Sequence, residues 1–287
     1  MMSSDISASA AGTITVGGDL NVNRLGFGAM RLTGPGIWGE PEDRDEAIRV
    51  LRRAVELDIN FVDTADSYGP AVSERLIAEA LRPYPEGLVI ATKGGLLRAG
   101  PGRWRPDGRP EHLRSALEGS LRRLGLEQID LYQLHRPDPK VPFAESVGAL
   151  IGFRREGKIR HIGLSNVDER QLEQARRMTE IASVQNRYNL QDRSSEGVLS
   201  RCEDLGIAFL PWAPLAVGEL ASPGGPLAAV AASHGVTPGQ IALAWLLARS
   251  PVMLPIPGTS SVAHLEDNVR ATAIKLSADE MDRLAAA

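Results

Sequence analysis

Residues 44–95, RDEAIRVLRRAVELDINFVDTADSYGPAVSERLIAEALRPYPEGLVIATKGG, pass twice from a helical pattern into a short apolar run. Ile48, Leu51, Val55 and Leu57 recur at helical spacings across Arg44–Leu57, which opens after Pro41-Glu42-Asp43, and Ser73–Leu81 repeats the pattern. Ile59–Val62 and Leu88–Thr92 are brief, apolar and closed by polar or glycine residues. A strand that is apolar on both faces needs cover on both, and parallel sheets obtain it from the helices that connect their strands.

The alternation continues in both directions. Further strands are expected at Leu25–Ala29, Ile129–Leu134, Ile162–Leu164, Ile181–Gln185, Ile207–Leu210 and Val252–Ile256. Further helices are expected at Glu111–Leu124, Phe143–Glu156, Asp168–Met178, Ser194–Leu205, Pro238–Arg249 and Ser277–Leu284, several after a capping Ser or Asp or a helix-starting Pro. TITVGGDLNVN reads as a hairpin turning at Gly17-Gly18 or Gly18-Asp19. Eight strands alternating with helices predict an α/β fold, a (β/α)8 TIM barrel with an N-terminal β-hairpin, which takes about 250 residues. Residues 13–287 then form one domain behind a flexible stretch at 1–12, MMSSDISASAAG. A doubly wound open sheet is the alternative, but no G-x-G-x-x-G follows an early strand, and GFGAM at 26–30 is too short to stand for one.

Composition excludes several classes. A net charge of −4 without a basic, aromatic-interleaved cluster argues against nucleic acid or an anionic membrane as partner. One cysteine, Cys202, rules out an intramolecular disulfide and any multi-cysteine metal site, and it reads as a small packing residue. No metal is expected. The start of the chain lacks the features of a signal peptide and no apolar run reaches the ~18 residues of a membrane span, so a cytoplasmic protein is expected.

RLTGPGIWGEP (31–41) and GGLLRAGPGRWRPDGRP (94–110) read as irregular loops at the carboxyl ends of strands, where barrel enzymes carry their sites. Asp63 and Tyr68 follow the second strand, Lys93 ends the third and His135 ends the fourth. Singly, each has a bland explanation: a turn cap, a packed phenol, an exposed lysine, a satisfied core histidine. Jointly, they compose a proton donor. A phenol with a pKa near 10 is a reluctant acid at neutral pH; an ammonium beside it lowers that value and a carboxylate holds the ammonium. A neutral imidazole at the same oxygen orients a carbonyl.

NRLGFGAM, FVDTADSYG, ATKGG, LYQLHRPD, GKIRHIGLSN, VQNRYN and IPGTSSVAHLEDN, in this order, resemble the aldo-keto reductase superfamily over nearly the whole chain. The resemblance implies NADP(H)-dependent reduction of an aldehyde or ketone, with Asp63, Tyr68, Lys93 and His135 as the catalytic set and Tyr68 as general acid. It places Ser165, Asn166 and Gln185 on the nicotinamide carboxamide and Trp212 against the nicotinamide face. Gly28, Ala29, Met30, Pro214, Leu215 and Ile256 complete the expected cofactor wall, and Gly258, Thr259, Ser260 and Ser261 open a helix suited to the 2′-phosphate, with Asp267 and Asn268 near the adenine. Many relatives carry Lys or Arg in that loop. Here two serines stand there, with His264 where others place an arginine and Arg270 nearby, so NADH stays open beside NADPH.

Arg31, Trp38 and Trp104, with Arg103, are candidates for the substrate pocket, against the equal alternative of loop packing. Within the family the chain most resembles bacterial pyridoxal reductase-like members, which makes pyridoxal a candidate substrate. A monomer is the family default. Two other readings compete: a Schiff-base, aldolase-like barrel using Lys93, and a cofactor-binding, redox-sensing regulatory protein.

Overall fold

The computed structural model describes residues 6–215 and 227–286. Strands β1 (Thr13–Val16) and β2 (Leu20–Asn23) pair antiparallel with Val16 opposite Leu20. Gly17 and Gly18 turn the hairpin with φ of 64° and 87°, and a Cβ on Gly17 would lie 2.4 Å from the His161 ring, so glycine is required there. Next come β3 (Phe27–Gly28), β4 (Phe61–Asp63), β5 (Val89–Gly94), β6 (Leu96–Gly100), β7 (Arg103–Pro106), β8 (Ile129–Leu134), β9 (Ile159–Ser165), β10 (Ser183–Arg187) and β11 (Ala208–Trp212). Seven of them form one parallel sheet in the order β3-β4-β5-β8-β9-β10-β11.

The eighth strand expected at Val252–Ile256 is not a regular strand. Pro251, Pro255 and Pro257 have no amide to give to a ladder. The segment nevertheless closes the ring. Phe209 N donates to Val252 O (2.8 Å) and Leu254 N to Phe209 O (2.9 Å) on one side; Gly26 N donates to Pro255 O (2.9 Å) on the other. Gly28 and Gly258 meet at this seam so closely that a Cβ on either would sit 2.5–2.6 Å from a carbonyl oxygen of the other segment.

Helices α1 (Arg44–Glu56), α2 (Val72–Leu81), α3 (Pro110–Leu124), α4 (Phe143–Arg155), α5 (Glu169–Arg176) and α6 (Glu196–Leu205) follow the predicted order. Then come α7 (Ala228–His234), α8 (Pro238–Arg249), α9 (Val262–Arg270) and α10 (Ala278–Ala285). Asp43 caps α1, and Asp168 with Gln171 forms a capping box on α5. The sequence reading missed α7, whose Ala-rich sequence carries little periodicity. Helix α8 buries Ile241, Ala242, Leu243, Trp245 and Leu246, which is why it is apolar nearly all round.

Two expectations are corrected. Residues 94–110, read as an irregular loop, contain the antiparallel pair β6–β7, folded at Pro101-Gly102. Of the lead-in read as flexible, residues 1–5 lie outside the described residues, and the rest contains a 3-10 turn at Ala8–Ala11: Ala8 is fully buried, its amide donates to Leu57 O (2.8 Å), and Thr272 Oγ1 donates to Ser7 O (3.1 Å). A small residue that fits a gap between segments is docked by packing, which local composition does not register.

The hairpin covers the amino-terminal end of the barrel. Val16, Leu20 and Val22 pack with Leu131, Ala182, Ala208 and Leu254 in one buried layer, leaving the carboxyl end open. Among the described residues no helix is long and apolar enough to cross a membrane. Cys202 is buried, and burial pushes its thiol up to about 12, so it is a packing residue.

Candidate active site

Three strands and one loop converge at the open end. Asp63 is the last residue of β4, Lys93 lies in β5, His135 follows β8, and Tyr68 stands on the loop between β4 and α2. Lys93 Nζ donates to Asp63 Oδ1 (2.5 Å), Thr64 O (2.9 Å) and the Tyr68 hydroxyl (3.3 Å), which uses its three donors. Asp63 Oδ2 accepts from Gln133 Nε2 and Gln185 Nε2, both at 2.9 Å. The ion pair is almost fully withdrawn from water, so its partners must offset the cost of burial.

These surroundings set the protonation states. Burial raises the Tyr68 phenol above its ordinary value and outweighs the downward pull of Lys93, so the net effect opposes the lowering expected from the sequence. Tyr68 therefore enters the site protonated. Burial acts to lower the Lys93 ammonium, but Asp63 and Tyr68 together raise it, and it stays charged. His135 is driven well below the usual histidine range by burial, with Lys93 and Arg136 adding to the effect, and is neutral at neutral pH. Its ring lies edge-on to Tyr68 with centroids 5.8 Å apart, and its Nδ1 is 3.4 Å from Ser67 Oγ.

A cleft of about 640 Å³ opens above this group, within the ~300–1,000 Å³ range of small-molecule sites. Tyr68, His135 and Asp63 line its floor; Lys93 lies behind them. Of the predicted cofactor residues, Gly28, Met30, Ser165, Asn166, Gln185, Trp212, Pro214, Leu215, Ile256, Gly258, Thr259 and Ser260 line it. Asn166 takes a left-handed conformation (φ 59°), with Nδ2 donating to His135 O (3.1 Å) and Ser165 Oγ (2.8 Å). Because Gln185 Nε2 is engaged by Asp63, its oxygen is the atom left for an incoming amide. Among the described residues Trp212 Nε1 is buried without a partner, an orphaned donor at the cleft wall.

Other predicted residues stand outside the lining. Ala29 is buried beneath the wall; Ser261 N donates to Thr259 Oγ1 (3.1 Å); His264, Asp267 and Asn268 lie along α9. Arg270 is held by Asp267 at 2.8 Å. Of the predicted substrate residues, Trp104 and Arg31 line the cleft, but Arg31 packs beside Gly258, on the cofactor side. Trp38 does not line the cleft, and Arg103 folds back on its hairpin to Ala99 O (2.5 Å). The sequence reading missed Gln133, Arg98 and Arg136. Gln133 was findable: it lies in β8 two positions before His135, the spacing that repeats one face of a strand.

These residues fit a dinucleotide. Between Gly28 and Gly258 the two backbones approach with no room for side chains, and the orphaned indole N–H and the free amide oxygen of Gln185 are polar groups awaiting a partner. The fit is weaker at the α9 N-terminus, where Val262 N already donates to Glu46 Oε1 (3.0 Å).

Comparison with known proteins agrees. Residues 24–287 match the aldo/keto reductase family. An uncharacterized oxidoreductase of Schizosaccharomyces pombe is 55% identical over 98% of this chain and 92% of its own length. Pyridoxine 4-dehydrogenase of Escherichia coli is 44% identical, covering 96% of this chain and 98% of its own. A crystal structure of an aldo-keto reductase from Klebsiella pneumoniae in complex with NADPH superposes with a TM-score of 0.80 at 28% identity, covering 95% of this chain and 93% of that one.

Proposed function

The chain belongs to the aldo/keto reductase family, and from that premise we propose that it reduces an aldehyde or ketone with NADPH, Tyr68 delivering the proton. The observation that carries this reading is the hydrogen-bonded chain Tyr68–Lys93–Asp63, at 3.3 and 2.5 Å, ending in a phenol that faces the cleft. When bound, the cofactor supplies the hydride to the carbonyl carbon. Tyr68 gives its proton to the carbonyl oxygen as negative charge gathers there, and Lys93 stabilises the phenolate left behind. Neutral His135, beside Tyr68, orients the same oxygen. Asp63, fixed by Gln133 and Gln185, keeps Lys93 charged and aimed.

Ser165, Asn166 and Gln185 would hold the nicotinamide amide against Trp212, and Gly258, Thr259 and Ser260 would take the adenosine 2′-phosphate, with Arg31 as the nearby cation. NADPH is the first choice because an NADPH complex is known for a similar structure. With no lysine in the loop and Glu46 at the helix start, NADH is the alternative. A Schiff-base reading has less support, since Lys93 is fully buried behind Tyr68 and Asp63. Pyridoxal is the proposed substrate, on the strength of the pyridoxine 4-dehydrogenase relative, and a cytoplasmic monomer is proposed from the family resemblance alone.

The test is oxidation of NADPH and NADH by the purified protein against pyridoxal, simple aldehydes and keto-sugars. Turnover of pyridoxal with the larger kcat/KM for NADPH is expected. No turnover of any carbonyl would sink the reading, failure with pyridoxal alone would remove that substrate, and a larger kcat/KM with NADH would reverse the cofactor choice.

A further inference from the structure

Arg98, at the start of the bulge in β6, touches three segments beside the cleft without lining the cleft itself. Its Nη1 donates to Ile37 O (2.6 Å) and Ser67 O (3.3 Å); its Nη2 donates to Gly36 O (2.8 Å) and Gly100 O (3.3 Å). The guanidinium lies 3.6 Å from the ring centre of Trp104, its cross-strand partner, and 5.6 Å from that of Trp38. One side chain thus joins the 31–41 loop, the loop that carries Tyr68, and the β6–β7 hairpin.

What it holds is not a relaxed backbone. Gly36 and Ile37 are both left-handed, with φ of 68° and 57°, and a β-branched residue avoids that region unless its surroundings enforce it. Ile37 lines the cleft, as does Trp104. Ser67 directly precedes Tyr68, and its hydroxyl lies beside His135. The planar fork of an arginine can serve four carbonyls in different directions while its face stacks on an indole; a lysine can do neither.

We propose that Arg98 is a positioning residue for carbonyl reduction: it fixes Ile37 and Trp104 as the wall against which a flat aromatic aldehyde is held beside Tyr68. The proposal rests on the carbonyl-reductase reading above and adds a substrate class to it. A small carbonyl, too short to lean on that wall, does not depend on Arg98.

The experiment compares wild type, Arg98→Met and Arg98→Lys with nitrobenzaldehyde and methylglyoxal as substrates. It adds NADPH affinity by fluorescence titration, and acrylamide quenching of tryptophan emission in the ligand-free proteins. In Arg98→Met the KM for nitrobenzaldehyde rises about tenfold or more, as expected when a bound substrate loses its orientation. The KM for methylglyoxal and the NADPH affinity stay near wild type, and quenching increases. Arg98→Lys behaves like Arg98→Met, because charge alone does not restore the fork. Unchanged KM and unchanged quenching would overturn the proposal. So would a parallel loss of NADPH affinity, methylglyoxal activity and Tm, which marks general destabilisation. If wild type reduced neither aldehyde the functional reading would fall, and unchanged quenching in the variants would also overturn the positioning role of Arg98.

Discussion

The two ends of the barrel enclose the same kind of space and fill it with opposite chemistry. At the amino-terminal end, Val16, Leu20 and Val22 of the hairpin lie on Leu131, Ala182 and Ala208 near the strand starts, and polar contacts such as Asp19 to Arg160 and His161 stay at the exposed edge. At the carboxyl-terminal end, Asp63, Lys93, Gln133 and Gln185 are buried and bonded mainly to one another. Apolar burial stabilises without demanding an exact partner. A buried ion pair stabilises little on balance, since desolvation offsets its attraction, but it fixes where each atom stands. One end holds the molecule together and the other holds a geometry.

The largest effect should come from Tyr68→Phe, which removes the proposed proton donor and leaves the ring. Its kcat should fall about a hundred- to ten-thousand-fold, with Tm and cofactor affinity close to wild type. Unaltered kcat would unseat the assignment of Tyr68. Leu20→Ala is the opposite case. Thermal or denaturant unfolding should show a loss of about 2–5 kcal/mol, while kcat/KM of the folded fraction is retained. If activity fell in step, the two ends would not be separable.

The smallest effect tests whether the open end costs stability. Asp66, on the Tyr68 loop, has Oδ1 buried without a partner, and burial, assisted by Glu74, raises its carboxyl to about 8. The unfolded chain loses this proton near pH 3.9, so between there and about pH 8 ionisation increasingly favours unfolding. Asp66→Asn removes that penalty. The variant should match wild type in stability at pH 4 and exceed it increasingly as the pH rises to 8. Equal stability across that range would show the carboxyl to be satisfied.

Much of this was legible in the residues. Helical periods, capping residues and doubly apolar strands determined the alternation, and Asp63, Tyr68, Lys93 and His135 could be placed at strand ends because a strand has one direction and a period of two. The miss at Val252–Ile256 is informative: its apolar pattern called for a strand, but its prolines leave it to close the barrel through a few bonds to its neighbours. Arg98 had no signal at all, since its four acceptors are backbone carbonyls, three of them some 31–62 positions away. Nor could the sequence weigh burial against charge at Tyr68, where burial prevails.

Local sequence therefore determined most of the elements that form, their order and the kinds of chemical group carried at their ends. Only the tertiary structure decided which distant backbone each side chain meets and how completely water is removed from it. Periodicity is a property of neighbours along the chain; desolvation and long-range hydrogen bonding arise only once segments far apart in sequence have packed together.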